Sequence, residues 1–152
     1  MPEIVISDTS TLIIFHKIER TDLLHKIYGD LLTTPEIAEE FGSPLPDWIK
    51  IRNVKDKKYQ SFLETQVDKG EASAIALASE FENVLLILDD LKARKLAKKL
   101  NLKITGTLGI IHKAKQLAII EKVKPLLEKI LETDFRISEK VIDEILTLND
   151  EK

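Results

Sequence analysis

NVLLILDDLKARKLAKKL, residues 83–100, joins a run of aliphatic side chains to a basic stretch through two adjacent aspartates. The aliphatic run at residues 84–88 predicts a buried strand, and the spacing of apolar residues after Asp90 predicts an amphipathic helix. Aspartates at such a junction either cap the helix that follows or hold something positively charged. The rest of the chain decides between these two explanations.

Length and composition limit the classes of protein to consider. The chain has 152 residues, a formal net charge of -3 and no cysteine, which excludes disulfides, thiolate zinc sites and cysteine nucleophiles. We expect one domain at residues 1–150. No aliphatic run approaches the roughly 20 residues that span a bilayer, and residues 1–8 do not resemble a signal peptide. We therefore expect a cytoplasmic protein with no membrane partner.

Strand and helix patterns alternate along most of the chain. We predict strands at residues 3–7, 31–34, 48–54, 84–88 and 102–105, with helices between them. This order predicts an α/β fold, a three-layer α/β/α sandwich with a central, mainly parallel sheet. Extra C-terminal helices are expected at about residues 124–132 and 138–148, and residues 149–152 are expected to be frayed.

Acidic side chains converge on one edge of this predicted sheet. Asp8 follows the first strand and Asp89 and Asp90 follow a later one, and the carboxyl ends of parallel strands share an edge where ligands bind. Glu71 opens a helix of small, buried residues. Glu40 lies three residues after Ile37, so it can flank the inward face of its helix. We expect these acids to meet although they are far apart in sequence.

Each acid also has an ordinary structural explanation. Asp89 or Asp90 could cap the next helix, and Asp90 could pair with Arg94 four residues on. Glu71 could complement a helix dipole, Glu40 could be a solvated glutamate, and Asp8 could belong to a turn. The hypothesis of a shared site depends on their convergence and on no single residue.

Four clustered carboxylates are tolerable only if some of them are protonated or a cation lies among them. At about 4 Å, two like charges repel by about 1 kcal/mol in water and about 4 kcal/mol at an effective dielectric constant of about 20. Oxygen ligands without cysteine or suitably spaced histidine favour Mg²⁺ or Mn²⁺. Such ions activate water for attack on phosphorus, which is the chemistry of nucleases.

The chain resembles the PIN-domain family of metal-dependent ribonucleases, which includes the toxins of many prokaryotic toxin–antitoxin pairs. The resemblance covers residues 4 to about 111. It rests on the order and spacing of DTS at 8–10, PEIAEEF at 35–41, GEASAIALA at 70–78, LLILDD at 85–90 and TGTLG at 105–109.

The resemblance implies a set of functional residues and partners. The implied Mg²⁺ or Mn²⁺ ligands and catalytic residues are Asp8, Glu40, Glu71 and Asp90, with Asp89 as an additional candidate ligand. Thr9 or Ser10 would orient Asp8 or contact substrate. Many family toxins have Thr-Arg-Asp where this chain has Leu88-Asp89-Asp90, so the choice between the two aspartates stays open. The resemblance also implies an RNA substrate, a homodimer and, for a toxin, a small antitoxin partner.

Features that would face a substrate are fewer. Lys92 and Arg94 lie in the basic stretch after Asp90 and could attract a phosphate backbone, although a solvated helix face is the simpler explanation. The turn before Thr107 could offer N–H groups to a phosphate or could serve only as a helix cap.

The alternative to an endoribonuclease is a catalytically weak PIN-like module that binds RNA or protein.

Overall fold

A five-stranded sheet forms the centre of the protein in the computed structural model, which describes residues 2 and 4–152. Its strand order is β3-β2-β1-β4-β5, and every strand pairing among the described residues is parallel. The strands are β1 (Ile4–Ser7), β2 (Leu31–Thr33), β3 (Ile49–Ile51), β4 (Val84–Ile87) and β5 (Lys103–Thr105).

Helices flank the sheet, so the predicted α/β sandwich is confirmed, with a sheet that is parallel throughout its described strands. None of the helices in the described part of the chain has the length and apolar character needed to cross a membrane. The helices are α1 (Thr9–Lys17), α2 (Asp22–Tyr28), α3 (Pro35–Phe41), α4 (Lys57–Leu63), α5 (Lys69–Ala78), α6 (Leu91–Lys99), α7 (Thr107–Gln116), α8 (Lys124–Leu131) and α9 (Glu139–Leu148).

The core surrounds the central strand β1 and its neighbour β4. Ile6 in β1 and Leu86 in β4 are fully buried, as expected for strands covered on both faces. Residues 72–78 of α5 are all buried, and four of these seven are alanines. Small side chains allow a helix to lie close to its neighbours, and α5 contacts β1, β4, α3 and α4. This packing brings the first turn of α5 towards the carboxyl edge of the sheet.

The strand order reverses between β1 and β4. The chain builds β1, β2 and β3 outward in one direction and then places β4 on the opposite side of β1. Ser7 pairs with Ile87 at the carboxyl ends of these strands, so Asp8 and Asp89 emerge side by side. A reversal of this kind opens a crevice at the carboxyl ends of the strands, where ligands of α/β proteins bind.

Element boundaries differ from the predicted ones mainly by being shorter. The strand predicted at 48–54 covers only Ile49–Ile51, and the strand predicted at 31–34 ends at Thr33. Hydrogen-bond partners of the backbone determine where these elements end, and local sequence patterns do not reveal those partners. The first strand was predicted to include Glu3, which lies outside the described residues.

The prediction that residues 149–152 are frayed is wrong. Asn149 is buried and its side chain donates to the Ile145 carbonyl. The Glu151 carboxylate accepts hydrogen bonds from Lys115 Nζ at 2.8 Å and from the N–H groups of Val123 and Lys124 at 2.8 and 2.9 Å. These contacts fix the end of the chain to α7 and to the start of α8.

Candidate active site

Asp8 is a buried carboxylate between two backbone donors. It caps α1 by accepting the Thr11 N–H on Oδ1 at 3.0 Å, and it accepts the Asp89 N–H on Oδ2 at 3.0 Å. Only 4% of Asp8 is exposed. Burial and the neighbouring charge of Asp89 raise the pKa of Asp8 to about 7, although the hydrogen bonds from Thr11 and Asp89 act in the opposite direction.

Asp89 is held by three hydrogen bonds from two threonines. Oδ2 accepts the Thr11 hydroxyl at 2.9 Å and the Thr107 hydroxyl at 2.5 Å, and Oδ1 accepts the Thr107 N–H at 2.8 Å. Thr11 belongs to α1 and Thr107 begins α7, so this carboxylate joins the end of β4 to both helices. Of the two adjacent aspartates, Asp89 is therefore the one whose side chain links separate elements of the fold.

Asp90 caps α6 and is exposed. Its Oδ2 accepts the Ala93 N–H at 3.0 Å, which is the helix-cap role foreseen for one of the pair. The alternative pairing of Asp90 with Arg94 is not seen among the described residues. Instead, Nη1 of Arg94 donates to the Leu88 carbonyl at 2.7 Å.

Glu71 stands at the first turn of α5 among other acids. It forms a reciprocal capping box with Asp68: its N–H donates to Asp68 Oδ1 at 2.8 Å, and its Oε1 accepts the Asp68 N–H at 3.3 Å. Burial, followed by the charges of Asp68, Asp90 and Asp8, raises the pKa of Glu71 to about 7. Glu71 therefore interacts electrostatically with Asp8 and Asp90, the acids that follow β1 and β4. The site extends from the ends of these strands to α5.

Glu40 reaches the same region from the end of α3. Its Oε1 accepts the Thr9 hydroxyl at 3.2 Å, and burial and the charge of Asp68 raise its pKa. A Cβ at position 70 would overlap Glu40 Oε1 and lie 3.0 Å from Cδ. Gly70 is therefore needed for the Glu40 carboxylate to lie against the first turn of α5.

Asp68 is an acid of this region that the sequence analysis missed. Its charge contributes to the raised pKa values of both Glu40 and Glu71. The spacing Asp68-x-x-Glu71 before a buried helix matches a capping box, and that pattern could have identified it.

The close packing around residue 106 explains why a glycine precedes Thr107 in TGTLG. A Cβ there would lie 2.7 Å from Asp89 Oδ1, 2.7 Å from Arg94 Nη1 and 3.2 Å from the Leu88 carbonyl oxygen. Only glycine allows the turn before α7 to approach Asp89 and Arg94 this closely.

The residues predicted to bind substrate are placed differently from one another. Thr9 contacts Glu40, whereas Ser10 lines a groove of about 350 Å³ with residues of α1 and of the segment 133–135. Lys92 is exposed on α6, Arg94 is tethered to Leu88, and Thr107 is fully buried against Asp89. Substrate binding by these residues stays a prediction.

The three histidines contact other parts of the fold. His16 meets Phe41 edge-on with ring centroids 5.5 Å apart, and His25 stacks on Trp48 at 4.7 Å. His112 Nδ1 is 2.9 Å from Asn149 Oδ1. The acids of the crevice remain the candidate ligands of a metal ion.

The chemistry of these acids fits a hard divalent cation. Within the described residues, neither Asp8, Glu40, Glu71 nor Asp90 forms an ion pair with lysine or arginine. In that same part of the chain, no three His, Cys, Asp or Glu side chains form a ready-made metal cage. Mg²⁺ keeps several waters and is usually bound through one or two carboxylates, so a looser arrangement of acids suits it.

Comparisons with known proteins give the family. A family model described as a PIN domain matches residues 4–151, while neither the curated proteins nor the solved structures gave a significant match. PIN domains are generally nucleases, which hydrolyse phosphodiester bonds of nucleic acids, and they typically use divalent metals. With a match over nearly its whole length, the chain belongs to the PIN-domain family.

Proposed function

We propose that the protein is a Mg²⁺- or Mn²⁺-dependent endoribonuclease that hydrolyses RNA phosphodiester bonds. The observation that carries this proposal is the pair Asp8 and Glu71. The pKa of each is raised to about 7 by burial and by neighbouring acids, and both lie where the strand order reverses. Perturbed acids in such a crevice are typical of functional sites.

The acids of the crevice divide into those proposed to hold an ion and Asp89, whose oxygens accept three hydrogen bonds from Thr11 and Thr107. Asp8, Glu71 and Asp90 would hold it, with Glu40 beside them. A bound divalent ion would lower the pKa of a bound water and stabilise charge that develops on the phosphate. Thr9 orients Glu40, and the capping box with Asp68 orients Glu71.

Helix α6 supports an RNA substrate. It starts directly after Asp90, and it exposes four lysines, none of which forms an ion pair within the described chain. A phosphate backbone that leaves the site would meet this cationic face, although the whole chain is mildly acidic. The four residues are Lys92, Lys95, Lys98 and Lys99.

Membership of the PIN-domain family also leads to a proposal about the location, oligomeric state and cellular role of the protein. We propose that the enzyme acts in the cytoplasm as a homodimer and serves as the toxin of a type II toxin–antitoxin pair with a small antitoxin protein. Light scattering would measure the dimer, and growth arrest on expression without an antitoxin would test toxicity.

A catalytically weak binding module is the second candidate. The absence of a ready-made metal cage among the described acids favours it over an enzyme with a preassembled metal site. Binding of Mn²⁺ and RNA without cleavage would distinguish it from the nuclease.

Cleavage of labelled RNA tests the proposal. The purified protein should convert a fluorescent RNA to shorter products with Mn²⁺ or Mg²⁺ and should be inactive in EDTA. Asp90→Asn should abolish cleavage. Asp30→Asn makes the same chemical change at an exposed position before β2, at the opposite edge of the sheet, and should leave cleavage unchanged. Equal cleavage by parent and Asp90→Asn would contradict the proposal.

A further inference from the structure

We infer that Asp89 is a positioning residue and not a metal ligand, and that the hydroxyls of Thr11 and Thr107 act through it to fix Asp8. This inference rests on the proposed nuclease function and resolves the choice between the two adjacent aspartates. It assigns Asp90 to the ion and Asp89 to the framework of the site.

The hydrogen bonds of the two aspartates differ. An ionised carboxylate has about four acceptor positions, and Asp89 uses three of them for Thr11 and Thr107. Asp90 uses one, for the Ala93 N–H, and is exposed. Asp89 has one acceptor position left, so it would have to release a threonine to bind an ion through both oxygens. Asp90 has three positions left and could do so without losing its hydrogen bond.

Thr11 connects Asp89 to Asp8 directly. Its N–H donates to Asp8 Oδ1 while its hydroxyl donates to Asp89 Oδ2. The Asp89 N–H in turn donates to Asp8 Oδ2. The three residues form a closed ring of hydrogen bonds, in which the Asp89 carboxylate binds the residue that holds Asp8 Oδ1 and the Asp89 backbone holds Oδ2.

Burial excludes direct contact of the threonines with substrate. Thr11 and Thr107 are each 0% exposed, so a polymer such as RNA cannot reach their hydroxyls. Gly106 adds to the same framework, because its missing side chain lets the turn before α7 approach Asp89 Oδ1. The hydroxyls therefore act on the site through the carboxylate that they bind.

Mn²⁺ affinity of the folded protein tests the inference without relying on catalysis. Isothermal titration calorimetry would be run well below the melting temperature of every variant. Thr11→Val and Thr107→Val keep the backbone N–H and the side-chain shape and remove only the hydroxyl. Each should weaken Mn²⁺ binding by about tenfold, the low end of what the loss of an outer-shell partner typically costs.

Four further variants separate positioning from packing. Asp89→Asn should weaken binding by a similar factor, and adding Thr11→Val to Asp89→Asn should weaken it by less than about twofold more, because both changes break one network. Thr11→Ser restores a hydroxyl and should restore affinity. Thr133→Val removes a hydroxyl bonded to the Ile130 carbonyl in the C-terminal region and should leave Mn²⁺ affinity unchanged.

The outcomes separate the two proposals. Failure of the parent protein to bind Mn²⁺ would overturn the proposed function and the inference with it. If the parent binds and Asp90→Asn does not, unchanged affinity in Thr11→Val and Thr107→Val would overturn the inference alone. Complete loss of binding in Asp89→Asn with normal binding in both threonine variants would make Asp89 a ligand and would also overturn it.

Discussion

The carboxylate of Glu151 and those of Asp8 and Glu71 have opposite electrostatic surroundings. Glu151, whose side chain is 5% exposed, accepts hydrogen bonds from Lys115 and from the first N–H groups of α8. Burial alone would raise the pKa of Glu151, but these donors outweigh it and lower the pKa. Within the described residues, Asp8 and Glu71 have no cationic partner, and their pKa values rise to about 7.

The difference shows that burial of an acid does not reveal its role, whereas the groups around it do. Glu151 fixes the C-terminal segment to the body of the protein and is satisfied by the chain itself. The acids at the ends of β1 and β4 form no ion pair with lysine or arginine in the part of the chain that the structure describes. We expect this second set to be unfavourable for stability and to need a cation from outside.

The largest expected effect is on activity. Glu71→Gln keeps the capping box, because glutamine can accept the Asp68 N–H, but it removes one charge from the site. Metal-dependent RNA cleavage should fall by about 100-fold or more, the size typical for the loss of a charge-stabilising group. Cleavage rates measured at saturating Mn²⁺ would check this.

The control for this prediction is Glu82→Gln, an exposed residue just before β4 at the opposite edge of the sheet. It should cleave at the parent rate. Similar rates for the two variants would remove the functional distinction between the site and the rest of the surface.

The second effect is a fall in stability of the metal-free protein as pH rises. The pKa of Asp8 is about 7 when folded and about 4 when unfolded, so between these values the folded state holds the extra proton and stability decreases with pH. Between pH 5 and pH 8 we expect a loss of about 2–3 kcal/mol. Urea unfolding in EDTA at several pH values would measure it, and stability that increases over this range would contradict the comparison.

Glu151→Gln should destabilise the protein at neutral pH. One glutamine oxygen cannot accept from Lys115 and from two backbone N–H groups, and unpaired buried donors are costly. We expect about 2 kcal/mol, or roughly 4–8 °C in Tm. Glu144→Gln on the exposed face of α9 should change Tm by less than about 1 °C, and an equal effect of the two would show that Glu151 is no anchor.

The smallest effect has the opposite sign. Without metal, Glu71→Gln should stabilise the protein at pH 8, because it removes repulsion from Asp68, Asp90 and Asp8. Since Glu71 is partly exposed, solvent screening limits the gain to about 1 kcal/mol or less. Differential scanning calorimetry in EDTA would detect the rise in Tm, and a decrease would indicate that the carboxylate is compensated after all.

The sequence predicted the sheet and the meeting of the acids for a physical reason. Aliphatic runs such as residues 84–88 can only be buried, and the carboxyl ends of parallel strands share an edge. Asp8 and Asp89 therefore had to emerge close together once β1 and β4 were neighbours. The strand order itself depends on long-range pairing, which local patterns do not encode.

Other features depend on contacts that one sequence does not reveal. The separate roles of Asp89 and Asp90 follow from Thr11 and Thr107, which lie far from them in the chain. The anchoring of Glu151 depends on Lys115 and on the start of α8, so a polar tail such as NDEK gave no sign of it. The Asp68 capping box, in contrast, was readable from spacing alone.

The central claim is that the uncompensated acids at the ends of β1 and β4 hold a divalent cation. The most direct measurement is the anomalous scattering of Mn²⁺ in crystals grown with the metal. We predict a peak bounded by the carboxylates of Asp8, Glu71 and Asp90, with Asp89 still hydrogen-bonded to Thr11 and Thr107. A fully occupied site elsewhere, or no peak in this crevice at saturating Mn²⁺, would contradict the claim.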